Sequence, residues 1–240
     1  MSTYVLCHGG GMGGWIWKFV KPLLVAAGHE VYTPTYTGFG ERAHLLGHAI
    51  DGEVHVTDIV NVLEKEDISD CILVGHSYSG TVLPGVAAQA GNRVRRIVLL
   101  DSLICYTGES IVEAMGVMDA EQAAAIAQGV KAEQIPAGAG VDQQQRAEIA
   151  EHPLDMSGER QQWLLDHMTD QPLACTVNKI QVGAEAVTKP VDYVAASNTI
   201  MLPMHERAEK LGWTIHKIEG DHAFLVGQPE WTGQFLLSLA

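Results

Sequence analysis

Three short stretches of this chain carry the residue types that acyl transfer needs. The first is Val74-Gly75-His76-Ser77-Tyr78-Ser79-Gly80. It follows an apolar run of strand composition and opens a helical stretch. A strand–turn–helix elbow of this kind exposes a serine hydroxyl on a strained backbone, and so demands small neighbours. Gly75 and Gly80 meet that demand, while Ser79 stands where the elbow pattern has its second glycine. A serine that merely caps a helix is the plainer alternative. The strand immediately before it favours Ser77 as a nucleophile.

The second stretch is His8-Gly9-Gly10-Gly11, at the end of the first apolar run. Acyl transfer builds an oxyanion, and paired backbone N–H groups stabilise it. The Gly10 amide and the Tyr78 amide, the latter at a helix N-terminus, are the expected pair, against an ordinary strand–helix turn. His8 itself is expected to be a structural loop histidine. The third stretch is Gly220-Asp221-His222-Ala223-Phe224. Serine needs a base of near-neutral pKa, and His222, late in the chain and at a strand tip, fits that role. His44 and His48 have the i, i+4 spacing of metal ligands. With no third ligand near in sequence, they read as solvated loop histidines, and the chemistry calls for neither metal nor cofactor.

These residues must be positioned by a scaffold, and the hydrophobic pattern supplies one. Strand-like runs fall at residues 4–7, 31–33, 71–74, 94–100, 191–196 and 213–218. Helical spacing falls at 17–27, 51–65 and 77–90, and from Pro229 to the C-terminus. Gly28 stops the first helix, and Pro229 suits a first turn. Strands alternating with helices predict an α/β fold: a mainly parallel, six-stranded, doubly wound sheet with helices on both faces. Residues 103–189 break the alternation. Helical pieces are expected there at 111–128, 143–150 and 159–168, a loop at 132–141, and no strand. The segment is expected to be a helical lid inserted after the fourth strand, over the sheet edge where α/β proteins bind ligands. The division is then a single domain, with a core of 1–102 and 190–240 and a lid of 103–189.

Length and composition limit the partners. The 240 residues suit one α/β domain. Lys plus Arg total 15 against 29 Asp plus Glu, a formal charge of −14 that repels phosphate backbones and argues against nucleic acid. No apolar run approaches the roughly 20 residues of a membrane span. Met1-Ser2-Thr3-Tyr4 lacks a basic leader region, so a cytoplasmic protein is expected. Cys7, Cys71, Cys105 and Cys175 have no CxxC spacing and read as buried free thiols. A homodimer is compatible with this pattern.

Taken together, the chain resembles the α/β-hydrolases, in the branch that holds plant hydroxynitrile lyases and small methylesterases. The resemblance is carried by His8, Gly13-Gly14-Trp15-Ile16-Trp17, Gly38-Phe39-Gly40-Glu41-Arg42, Gly75-His76-Ser77 and Gly220-Asp221-His222. Among bacterial proteins it is similar to small esterases that hydrolyse carbendazim, a methyl carbamate. The lyases of the branch have a lysine after the histidine, a hydroxyl residue after the first-strand histidine and an acid before the nucleophile. Ala223, Gly9 and His76 stand at those positions. The three departures point to hydrolysis.

The resemblance also frames the third member of a triad. Most α/β-hydrolases place an orienting carboxylate after the fifth of these strands, but the loop here reads Ala196-Ser197-Asn198-Thr199-Ile200. Asp192 lies at the wrong end of that strand. Asp101, at the end of the fourth strand, has precedent in the haloalkane dehalogenases and is the expected acid. Asp221 is the weaker rival, and capping of the next turn is the alternative role for Asp101. The expected activity is therefore a serine hydrolase for small carboxylic or carbamic esters, using Ser77, His222 and Asp101. Trp15, Trp17, Trp163 and Phe224 are expected to line an apolar pocket for an aromatic substrate, against the alternative of core packing. A C–C lyase on the same scaffold, or a slow ligand receptor of this fold, are the other readings.

Overall fold

Six parallel strands form one sheet in the order β2-β1-β3-β4-β5-β6. They are β1 (Thr3–Cys7), β2 (Glu30–Tyr32), β3 (Cys71–His76), β4 (Val94–Leu100), β5 (Val191–Asn198) and β6 (Thr214–Asp221). The computed structural model describes residues 1–140, 143, 146, 147, 149, 151 and 153–240. The α/β class and six-stranded parallel sheet are as expected from the alternation of strands and helices.

The inner strands are apolar at consecutive positions because both faces of the sheet are covered. On one face Tyr4, Leu6, Ile72, Val74, Val98, Leu100 and Val194 pack with Leu24 of α1 (Lys21–Ala26) and Leu236 of α10 (Pro229–Ser238). On the other, Val5, Cys7, Leu73, Leu99 and Tyr193 meet Ile59 and Leu63 of α2 (Gly52–Lys65) and Val86 of α3 (Leu83–Ala90). Each buried Leu, Ile or Val contributes about 1.5–3 kcal/mol by leaving water. Asp51 caps α2 by accepting from the Glu53 and Val54 amides at 3.1 and 3.3 Å. All four cysteines are buried and unpaired.

Several boundaries depart from the sequence reading. The expected helix at 17–27 is a 3-10 turn at Gly14–Lys18 followed by α1. The helix after the elbow begins as a 3-10 turn, Ser77–Thr81, and becomes regular only at Leu83. The helical stretch at 111–128 is divided into α4 (Ile111–Ala114) and α5 (Ala120–Lys131), with Gly116 at φ 68° between them. A left-handed glycine ends a helix readily, and Asp119 restarts the next by accepting from the Gln122 amide at 2.9 Å. The expected helix at 143–150 falls largely outside the described residues. Further on come α6 (Gly158–His167) and α7 (Ala174–Val177). The reading missed α8 (Leu202–Lys210) between β5 and β6 altogether; its Met204 and Ala208 are buried in the core. The short α9 (Phe224–Gly227) follows β6.

Candidate active site

Register brings three strand ends to one place. His76 lies opposite Leu100, Leu100 opposite Val194, and Asn198 opposite Asp221. Ser77, Asp101 and His222 are each the first residue beyond a strand, after β3, β4 and β6 respectively. They therefore meet at the carboxyl edge of the sheet although up to 145 positions separate them.

The elbow is built by close packing. Ser77 has φ 53°, a left-handed conformation that costs a non-glycine residue energy and persists only when its surroundings enforce it. A Cβ on Gly75 would lie 2.8 Å from Leu83 Cδ1, and one on Gly80 would run into the Leu103 carbonyl oxygen. The Leu103 amide also donates to the Ser77 carbonyl at 2.9 Å. Ser79 fits where the pattern has a glycine because its hydroxyl has partners. It donates to the His8 carbonyl at 2.6 Å and lies 2.7 Å from the Tyr36 hydroxyl.

His222 joins the other two residues. Its Nε2 is 2.9 Å from Ser77 Oγ, and its Nδ1 is 2.7 Å from Asp101 Oδ2. A carboxylate only accepts, so Nδ1 carries the proton and Nε2 is free to accept from the serine hydroxyl. Asp101 is fully buried, at 0% exposure, with φ 44°. It accepts from the Ala196 amide at 3.2 Å, Thr199 Oγ1 at 2.5 Å and His205 Nε2 at 3.1 Å as well. Burial pushes its pKa up, but the bonds from His222, Thr199 and His205 outweigh that and hold it down to about 2.

The rival acids bond other groups, although Asp221 lines the same cavity as Ser77. Asp221 accepts from its neighbours, the Ala223 amide at 2.7 Å and the Asp155 amide. Asp192 pairs with Arg96 and His216, and Asn198 lies exposed at the sheet edge.

Gly10 lines the same cavity as Ser77, and its Cα faces the end of the Gln171 side chain. The Tyr78 amide follows Ser77, while the Tyr78 hydroxyl is 2.8 Å from His55 Nδ1 in the core. His8 is structural, as expected: its Nε2 accepts from the Tyr36 amide at 3.1 Å, so Nδ1 donates to the Gly9 carbonyl at 2.8 Å. Burial lowers its pKa to about 3. The His76 ring lies against that of His222, tilted by 36° with centroids 4.6 Å apart, and donates from Nε2 to the His222 carbonyl at 2.9 Å. Burial, then the neighbouring His222, lower it to about 3. His44 is exposed and His48 bonds the Ile135 carbonyl at 3.0 Å.

A cavity of about 400 Å³ opens at Ser77 and His222. Its walls are Met12, Ile149, Leu154, Leu164, Met168 and Met201, with Asn198 and Thr199 at the sheet edge. The expected aromatic lining is not there. Trp17 and Phe224 are buried in the core. Trp15 and Trp163 pack edge to face, 5.3 Å between ring centroids, in a cluster with Phe19 and His167. Trp163 and Leu164 are neighbours on α6. Successive residues of a helix point about 100° apart, so Leu164 meets the cavity and Trp163 turns to the outer cluster.

A parallel sheet wound on both faces, with a serine elbow after its third strand and a histidine after its last, defines the class of α/β-hydrolases. The chain belongs to the Alpha/beta hydrolase family, whose model matches residues 4–234. It is 31% identical over its full length, and the full length of the relative, to a carbendazim hydrolyzing esterase from Nocardioides sp. (strain SG-4G). It is a hydrolase of the esterase class. Solved structures agree on the fold. An extracellular alpha/beta-hydrolase from a Paenibacillus species superposes with a TM-score of 0.78 at 21% identity, over 99% of this chain and 98% of that one. A methylesterase from Arabidopsis gives 0.76 at 18% identity, over 100% and 98%. Among the described residues, no helix is long and apolar enough to cross a membrane.

Proposed function

We propose that the protein hydrolyses small, neutral carboxylic or carbamic esters through a Ser77–His222–Asp101 triad. The observation that carries this reading is the unbroken chain of hydrogen bonds from Ser77 Oγ through His222 to Asp101 beside a cavity. Ser77 Oγ attacks the acyl carbon as His222 Nε2 takes its proton. The Gly10 and Tyr78 amides hold the oxyanion. His222 then passes the proton to the departing alkoxide, leaving an acyl-enzyme. Water, deprotonated by the same imidazole, attacks the acyl carbon and frees Ser77. A carbamate substrate yields a carbamic acid, which loses CO₂.

A methyl carbamate is the substrate class that the full-length similarity to the carbendazim hydrolyzing esterase supports. Among the described residues, neither Lys nor Arg lines the cavity and Asp221 does, so a neutral acyl group matches the site better than an anionic one. Residues 103–189 supply Ile149, Leu154, Leu164 and Met168 and serve as the lid over that cavity.

The test is a panel of para-nitrophenyl acetate, aryl methyl esters and aryl methyl carbamates, with carbendazim among them. A fluorophosphonate label on Ser77 is read by mass spectrometry. Fast turnover with stoichiometric labelling of Ser77 is the expected result. Labelling without turnover of any ester would reject the reading.

A further inference from the structure

The carboxylate of Asp101 has more partners than its proposed task requires. Orienting His222 takes one oxygen, Oδ2, which lies 2.7 Å from Nδ1. The other three donors come from one segment: the Ala196 amide at the end of β5, the Thr199 hydroxyl in the turn and the His205 ring on α8. That segment, residues 196–205, carries no carboxylate of its own. It supplies donors to an acid on the neighbouring strand.

His205 differs from the other two donors. The amide belongs to the sheet, and the Thr199 hydroxyl also accepts from the Met201 amide at 3.0 Å, as a turn residue does. His205 serves neither end. Its side chain is partly exposed, its ring meets the edge of Tyr193 at 5.8 Å, and its Nε2 is 3.1 Å from Asp101 Oδ1. Tyr193 donates its hydroxyl to the carbonyl of Ser102, the residue after Asp101. Arg207, two positions along the same helix, is turned to Glu109 at 2.5 Å. A partly exposed histidine thus spends its ring N–H on a wholly buried carboxylate that already touches the base.

We propose that His205 is a positioning residue for hydrolysis: through Oδ1 it fixes the rotation of the Asp101 carboxylate and shares its charge, so that Oδ2 stays aimed at His222. This rests on the Ser77–His222–Asp101 reading above. Without His205, Oδ1 keeps only the Ala196 amide at 3.2 Å, so the carboxylate turns more freely about its Cβ–Cγ bond and holds the His222 imidazole less firmly. An anion that has lost a donor is also more basic, and stabilises the protonated form of His222 more strongly.

The experiment compares His205→Leu and His205→Gln in the full chain, with para-nitrophenyl acetate and a Ser77→Ala control. His205→Leu keeps bulk but cannot donate; Gln keeps a terminal N–H. The expected result for Leu is a fall in kcat of about 10- to 100-fold, the range for outer partners that orient a working group. KM should stay within about twofold, and the acid limb of kcat/KM should move to higher pH. His205→Gln should recover most of the rate and return the limb towards its parental position.

A helix-packing role would lower the melting temperature and move neither kcat nor the limb; that result overturns the proposal. Equal loss of kcat in Leu and Gln, with an unmoved limb, overturns it too. If Leu does not fold, His205→Asn, too short to reach Oδ1, provides the same comparison. An inactive Ser77→Ala beside a parental His205→Leu rejects the positioning role alone. A fully active Ser77→Ala rejects both this role and the triad.

Discussion

The two sides of the site are built by different physics. The side of the proposed nucleophile, residues 8–11 and 75–80, is held by contact: glycines without room for a methyl group, a left-handed serine, and histidines buried in neutral form. The acid side, Asp101 with residues 196–205, is held by charge: one buried carboxylate and four donors. Contact tolerates no added atom, and charge tolerates no lost donor. The two sides should therefore fail under different insults.

The largest effect is expected at their junction. Ser77→Ala keeps the turn and removes the hydroxyl, and should lower ester turnover by about three orders of magnitude or more. Circular dichroism should show the fold intact. Turnover within tenfold of the parent would remove Ser77 from the mechanism. On the acid side, Asp101→Asn should cut turnover by roughly two to four orders of magnitude, because an amide no longer holds the required tautomer of His222. Asp221→Asn is the control; a larger loss there than at Asp101 would mean that the wrong carboxylate was assigned.

The nucleophile side should break by sterics. Gly80→Ala places a methyl against the Leu103 carbonyl and Ser102 Cβ, the latter at 2.9 Å. Overpacking of this kind costs about 1–3 kcal/mol, and a rigid backbone neighbour puts it at the upper end. A urea midpoint equal to the parent's would show that the elbow is looser than its contacts imply.

Acid sharpens the contrast further. His8 and His76 are lowered to about 3, and His55, on α2 against Tyr78, to about 4, each chiefly by burial. The unfolded chain takes up these protons near pH 6.5, before the folded one does. The stability that they contribute is present above about pH 6.5 and is lost as pH falls towards 4. The slope approaches about 1.4 kcal/mol per histidine per pH unit. Asp101, held down to about 2, keeps its charge throughout that window. Urea unfolding at pH 7.5, 6 and 5 measures this, and a constant midpoint contradicts neutral burial of the three rings.

The smallest effect concerns the aromatic cluster. Trp163→Ala should leave kcat/KM within about threefold of the parent, because this ring packs on Trp15 and Phe19 away from the cavity. Met168→Ala, on the cavity wall, should raise KM for bulky esters by more, since each lost methylene contact with substrate is worth about 1 kcal/mol. The reverse ranking would restore an aromatic pocket.

What the sequence determined by itself was local. The apolar runs marked six strands because a sheet covered on both faces keeps the middle of its inner strands apolar at consecutive positions. Gly75, Ser77 and Gly80 marked a turn because tight turns exclude bulk, and Asp101 and His222 were singled out as residues at strand tips. Three things escaped the sequence. Helix α8 was overlooked, although Pro203 in its first turn was a signal. The aromatic pocket was misread, because the direction in which a tryptophan points is set by what packs against it and leaves no mark in spacing. The donors from Thr199 and His205 to Asp101 went unseen because they cross 98 and 104 positions. Only the register of β4 against β5 brings those residues together. Strand tips are one-dimensional facts, whereas hydrogen bonds between them require the sheet.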